Sequence, residues 1–185
     1  LGPWEATKPP GSHERVGGYL TMISRSRRRA KEGTSLPWAI GWDDGWPDHP
    51  AVNRATTPLI GQVTVSSISL GSAMSCSMGY WVASAHAGKG IAPTAVALAC
   101  DYVFQVMGLH RVEICVRPEN TKSLRVVEKL GLTEEGLRPS YLHIDVQWRD
   151  HRVFRLLNDD YPDGVLRNYL VNHLLPGSAV GENED

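Results

Sequence analysis

The sequence predicts an α+β (α/β-layered) fold, a mixed sheet with helices packed on it. Three observations predict it. Two runs that alternate apolar and polar residues, 59–70 and 73–82, meet near Gly71 as a hairpin. A broad apolar face at helical spacing (Ala95, Val96, Leu98, Ala99, Tyr102, Val103, Val106) fills 92–107, just before a strand over 110–116. A helical crossover of that length allows strands 73–82 and 110–116 to pair in parallel.

Taken in order, Leu1 to Gly11 holds three prolines and Trp4 and reads as an irregular lead-in. Ser12 can cap a helix over 13–32, weakened by Gly17 and Gly18. Leu36 to Trp42 is strand-like, Asp43-Asp44-Gly45 a turn, and the stretch to Thr57 a polar loop. After the hairpin and the central helix, Gly108 stops the helix. Strand 110–116 puts Val112, Ile114 and Val116 on one side and Arg111, Glu113 and Cys115 on the other. Pro118-Glu119-Asn120 leads into a short helix over 121–130, ended by Gly131. Strands over 132–143 and 147–157 turn near Asp145, and a helix follows Pro162 over 163–174. One domain is expected over 1–175, with a disordered acidic tail over 176–185.

Net charge is −1, so no global basic field points to nucleic acid. The local cluster Arg25, Arg27, Arg28, Arg29 and Lys31 reads as a solvated helix face, with RNA or ribosome docking as the alternative. The uncharged run from Ala55 to Gly88 is too rich in Ser, Thr, Gln and Gly for a spanning helix, so no membrane partner is expected. Cys76, Cys100 and Cys115 form no C-x-x-C; they imply neither a disulfide framework nor a zinc site, and suit a reducing cytoplasm. The histidines form no convincing metal set, and no G-x-S-x-G elbow supports serine hydrolysis.

The most informative stretch is Gly79-Tyr80-Trp81-Val82 running into Ala87-Gly88-Lys89-Gly90-Ile91-Ala92. An apolar strand enters a glycine turn that opens onto a helix. The start of a helix carries unpaired N–H groups and partial positive charge, and glycines let a ligand approach the backbone. A phosphate-bearing ligand is the functional reading; a turn that uses glycine only to turn is the other. Pro93 rules out G-x-G-x-x-G, and no P-loop lysine motif occurs.

With Tyr80-Trp81-Val82 before it, this loop resembles the Q/R-x-x-G-x-G/A signature of the GCN5-related N-acetyltransferase (GNAT) superfamily. Gly90 and Ala92 fit, while Ala87 replaces the long polar first residue. Arg117-Pro118-Glu119-Asn120-Thr121-Lys122-Ser123 and Val127-Glu128-Lys129-Leu130-Gly131 resemble the second signature, with Leu132 for the usual Phe. Glu135-Gly136-Leu137-Arg138 fits the next strand of the ribosomal-protein RimJ/RimL branch. That branch usually has a further strand and helix before a segment like Trp4, so this chain is expected to begin internally.

The resemblance implies a mostly antiparallel sheet whose central parallel pair splays apart, with pantetheine in the notch and the acetyl-CoA pyrophosphate on the amides of Gly88 to Ala92. It places the donor on Trp81, Val82, Gly88, Lys89, Gly90, Ile91, Ala92, Asn120 and Ser123, with no metal. Lys89 either adds charge on phosphate or stays solvated; Arg125 or Lys129 either meets the 3′-phosphate or pairs on the helix surface. A strand amide near Trp81 or Val82 is expected to polarise the thioester. Ser123 is assigned to protonating or positioning the thiol, and Asn120 to the pantetheine amides, to capping, or to both. At the branch's glutamate base this chain carries Leu142, so Glu113, through water, and His143, with Asp145 nearby, become the candidate bases, with a structural or substrate-orienting role as the alternative for each. Trp42 and Trp148 are expected to line the acceptor mouth.

The implied activity is acetylation of a protein N-terminal amine, as in ribosomal-protein alanine acetyltransferases. Three alternatives stand beside it: a lysine or small-molecule amine acceptor, a longer donor such as succinyl-CoA, and a non-catalytic acyl-CoA sensor or scaffold. A homodimer is left open.

Overall fold

A computed structural model describes residues 4–12, 18–42 and 57–173. Six strands form one sheet: β1 (Leu36–Gly41), β2 (Leu59–Ser69), β3 (Ser75–Val82), β4 (Arg111–Val116), β5 (Thr133–Ile144) and β6 (Gln147–Leu157), in the order β1-β2-β3-β4-β6-β5. Only β3 and β4 pair in parallel; every other neighbour is antiparallel. The expected mixed sheet with its central parallel pair is therefore the one observed.

Among the described residues four α-helices flank it: α1 (Tyr19–Lys31), α2 (Ile91–Asp101), α3 (Thr121–Lys129) and α4 (Val165–His173). Gly18 rather than Ser12 stands before α1, and it gives no side-chain cap. Residues 13–17, the loop through 43–56 and the expected acidic tail lie outside the described residues.

Alternation along β4 builds the core. Val112, Ile114 and Val116 are buried against Val96, Cys100, Val103, Val126 and Val127 of the helical layer. Arg111, Glu113 and Cys115 occupy the other face, as the period-two pattern requires. Each such valine or isoleucine contributes on the order of 1.5–3 kcal/mol by leaving water.

The central helix departs from expectation on one side. Leu98, Tyr102 and Val106 were expected on its apolar face, yet they are 53%, 43% and 66% exposed. Val96, Ala97, Ala99 and Cys100 already fill the inward stripe, and Leu98 lies about half a turn round from it. Beyond Asp101 the helix widens into a π-turn over Tyr102–Val106, which keeps Val103 and Phe104 inward and swings Val106 out. Tyr102 packs edge-on against Trp38, 5.2 Å between ring centroids.

No described helix is long and apolar enough to cross a membrane.

Candidate active site

The parallel pair is short. Its register runs Ser75↔Arg111, Cys76↔Val112 and Ser77↔Glu113, and then stops. β3 continues to Val82 and β4 to Val116 with no pairing between them, so the strands part and leave a notch. Gly61 holds β2 tightly to the far end of β3. A Cβ there would lie 2.5 Å from the Trp81 carbonyl oxygen and 3.2 Å from Val82 Cα. Sequence reading missed this residue, although a glycine inside a strand pattern is the usual mark of close backbone approach.

Past β3, one helical turn over Ser84–His86 feeds the glycine loop. Gly88 and Gly90 take φ of +83° and +77°, where a side chain would be strained, and Gly90 stands as the N-cap of α2. The amides of Gly88, Lys89, Gly90, Ile91 and Ala92 donate to no acceptor among the described residues. Pro93 follows with no N–H to offer, and Thr94 is already bonded to the Gly90 carbonyl. No acidic residue stands in the first turn of α2. His86 Nδ1, just before the loop, is buried without a hydrogen-bond partner among those residues. Unpaired donors at a positive helix end fit a pyrophosphate well.

Lys89 stands with Nζ 5.3 Å above the centre of the Trp42 ring, and that ring also meets His86 at 5.4 Å. Trp42 is thus placed beside the anion loop, whereas it was expected at an acceptor mouth. A cation over an indole face is held there by the ring quadrupole.

Opposite the loop, Asn120 caps α3 by accepting the Ser123 amide at 3.2 Å. Tyr80, on the core side of β3, donates its hydroxyl to the Ser123 carbonyl at 3.3 Å. Burial pushes the Tyr80 phenol well above its ordinary range, so it stays a donor. This bond ties the first turn of α3 to the part of β3 beyond the paired register. The Ser123 side chain also hydrogen-bonds the Tyr80 phenol and draws its pKa partly back down. Loop, strand end and Asn120–Ser123 turn therefore border one notch.

The two candidate bases lie elsewhere in their bonding. Glu113 is expected as a water-linked base, but Arg138 takes both of its oxygens, at 2.6 and 2.8 Å, and Arg111 stands 3.8 Å away. The pairing has a simple cause: Arg138, two strands over, carries a planar fork that matches a carboxylate. Cys115 Sγ sits 3.6 Å from Glu113; burial, then the Glu113 charge, pushes its thiol up to about 11, so it is no competing thiolate. His143 is buried, with Nδ1 2.8 Å from Thr7 Oγ1 and its ring edge-on to Trp148. The lead-in segment bridges this strand at Ala6↔Ile144. These partners, Thr7 and Trp148, belong to neither the loop nor α3.

The chain matches the acetyltransferase (GNAT) domain family over residues 3–133. It superposes on Mycobacterium smegmatis RimJ in complex with CoA-disulfide with TM-score 0.77 and 35% identity, over 93% of this chain and 77% of that one. The chain belongs to the GNAT acetyltransferase family. Among other GNAT relatives, the probable N-acetyltransferase YjcK of Bacillus subtilis is 42% identical over 102 residues, which are 55% of this chain and 56% of YjcK. The chain thus spans little more than half of that relative's length. The ribosomal protein uS5-alanine N-acetyltransferase of Escherichia coli is 29% identical over 89% of this chain and 78% of its own. The spermidine N(1)-acetyltransferase of Vibrio cholerae is 32% identical over 80 residues, 43% of this chain and 46% of its own.

Proposed function

We propose that this GNAT domain transfers the acetyl group of acetyl-CoA to the terminal amine of a protein substrate, in the manner of a ribosomal-protein alanine acetyltransferase. The observation that carries the reading is the row of unpaired amides from Gly88 to Ala92 beside the parted ends of β3 and β4. Acetyl-CoA supplies the activated thioester. The amides of the loop hold its pyrophosphate, and the backbone near Trp81 and Val82 lies where a donor to the thioester oxygen is needed. Asn120 bonds the pantetheine arm, and the hydroxyl of Ser123 protonates or positions the departing sulfur. Lys89 is a minor contributor, since it rests over Trp42.

The acceptor chemistry asks little of a base. A terminal α-amine has a pKa of about 7.7–8.0, so a sizeable fraction is neutral near pH 7. A lysine side chain, near 10.4, would need a dedicated base, and both expected candidates are bonded elsewhere.

The test is incubation with acetyl-CoA and an Ala-initiated peptide, following free CoA and the peptide's mass. Thiol release with acetyl gain at the terminus is the expected result; the absence of both signals would sink the reading. The spermidine acetyltransferase match supports a second reading, a polyamine acceptor. Spermidine offered in the same assay separates the two.

A further inference from the structure

Away from the donor loop, the face of the sheet that carries Glu113 holds a cleft of about 320 Å³ between α1 and strands β1 and β2. Its lining includes Lys8, Arg25, Arg29, Ser26, Gln62 and Thr64, and among the described residues none that line it is a carboxylate or an aromatic. The basic run noted in the sequence divides here. Arg25 and Arg29, one helical turn apart, share the cleft, while Arg28 is 70% exposed and turns to Glu32 at 3.7 Å.

Strand register connects the cleft to the notch. Thr64 pairs with Pro37 on β1 and with Gly79 on β3, and Gln62 pairs with Trp81. Gly79 and Trp81 belong to the part of β3 that has left β4. Gly79 is exposed, and a Cβ added to it would meet nothing within 4 Å. The row Pro37–Thr64–Gly79 is therefore an open trough that runs from the cleft to the strand gap.

We propose that this cleft reads an acidic side chain at the third or fourth residue of the acceptor polypeptide. The inference rests on the N-terminal acetylation reading and adds a substrate class to it. From the gap to the cleft is two strand spacings, about 10 Å, and an extended peptide covers about 3.3 Å per residue. A chain whose first amine sits in the gap thus delivers its third or fourth side chain to the cleft at Arg29. Hydroxyls of Ser26 and Thr64 and the amide of Gln62 complete a polar lining for a carboxylate. The same lining opposes a polyamine, and the absence of an aromatic platform from it disfavours single-stranded RNA.

Two Ala-initiated peptides that differ only in Glu or Lys at residue four, and a second pair at residue three, provide the experiment. The Glu peptide is expected to show kcat/KM about tenfold higher at low salt, with the preference shrinking as salt screens it. Arg29→Glu is expected to invert the preference and Arg29→Gln to flatten it, while CoA binding by each variant reports its folding. Equal kcat/KM for Glu and Lys at both positions, or a preference untouched by either variant, overturns the proposal. Fluorescence anisotropy of the same peptides keeps the two readings apart. Arg29-dependent binding of the Glu peptide without acetyl transfer supports the cleft and defeats N-terminal acetylation; equal or absent binding overturns the cleft. A short RNA that binds through Arg29 and displaces the Glu peptide also overturns it.

Discussion

Arg138 grips Glu113 with both terminal nitrogens, Nη1 to Oε1 at 2.6 Å and Nη2 to Oε2 at 2.8 Å. Glu135 and Arg111 continue the pairing across the same face, and Arg155 reaches Glu135 at 3.4 Å. A side chain so engaged serves the sheet before it serves a reaction. Glu113→Gln is expected to lower kcat less than about tenfold, against the hundredfold or more typical of a lost general base. A double-mutant cycle with Arg138→Ala in thermal melts should give a coupling of about 1–2 kcal/mol, since Arg138 is 39% exposed and solvent screens the pair. A hundredfold fall in kcat for Glu113→Gln would restore it as the base.

Gly61 and Gly79 make a matched pair of strand glycines with opposite outcomes. Gly61→Ala drives a methyl into the Trp81 carbonyl, and the backbone must shift. Destabilisation of about 1–3 kcal/mol is expected, together with lower kcat, because Trp81 and Val82 border the notch. Gly79→Ala meets open space and is expected to leave the melting temperature unchanged or raised. Melting curves and steady-state kinetics on the two variants check both halves.

The hydroxyl and carbonyl of Ser123 can be separated by mutation. Ser123→Ala removes the hydroxyl, leaves the carbonyl in place, and is expected to lower kcat with CoA affinity intact. Tyr80→Phe strips the Ser123 carbonyl of its donor instead, and about 1 kcal/mol of stability should go with it. If calorimetry shows the two variants losing CoA affinity alike, Ser123 acts through the helix turn and not through its hydroxyl.

Within the loop, backbone should outweigh side chain. Gly90→Ala forces a side chain into φ +77° with the Tyr169 hydroxyl 3.4 Å from the new Cβ, costing roughly 1 kcal/mol or more, about a fivefold loss of CoA affinity. Lys89→Ala should change that affinity by less than about threefold, as expected of an exposed charge. Titration of CoA into each variant decides the order.

Stability should also fall in mild acid. His151 is 4% exposed, and burial foremost pushes its imidazole below the ordinary 6.5, against the pull of the Arg149 carbonyl. In that window the unfolded chain binds a proton that the folded chain refuses, so stability is complete above about pH 6.5 and declines as pH drops below it. His151→Phe should flatten the slope between about pH 6.5 and 5 in denaturant titrations.

Much of this was legible in the residues. The alternation of 59–70, 73–82 and 110–116 located β2, β3 and β4 to within two residues, because period-two patterning reflects burial on one face of a sheet. The turn at Gly88–Ala92 and the Asn120–Ser123 cap were readable because their chemistry is local and backbone-borne. What escaped was set by contacts between distant segments. Glu113 could not be known to meet Arg138, 25 positions away, nor His143 to meet Thr7, 136 positions away. The exposure of Val106 depended on one π-turn, which hydrophobic spacing does not announce.

The far end of the fold has a consequence for the donor loop. Asp101, at the end of α2, accepts the Val165 and Leu166 amides at 2.6 and 3.2 Å and so anchors the start of α4. From α4, Tyr169 reaches back to stand behind Gly90 at the opposite end of α2. One helix thus spans a closed circuit: loop, α2, α4, and loop again. Occupying the loop should therefore be felt by α4, and CoA should slow deuterium uptake at Val165–His173.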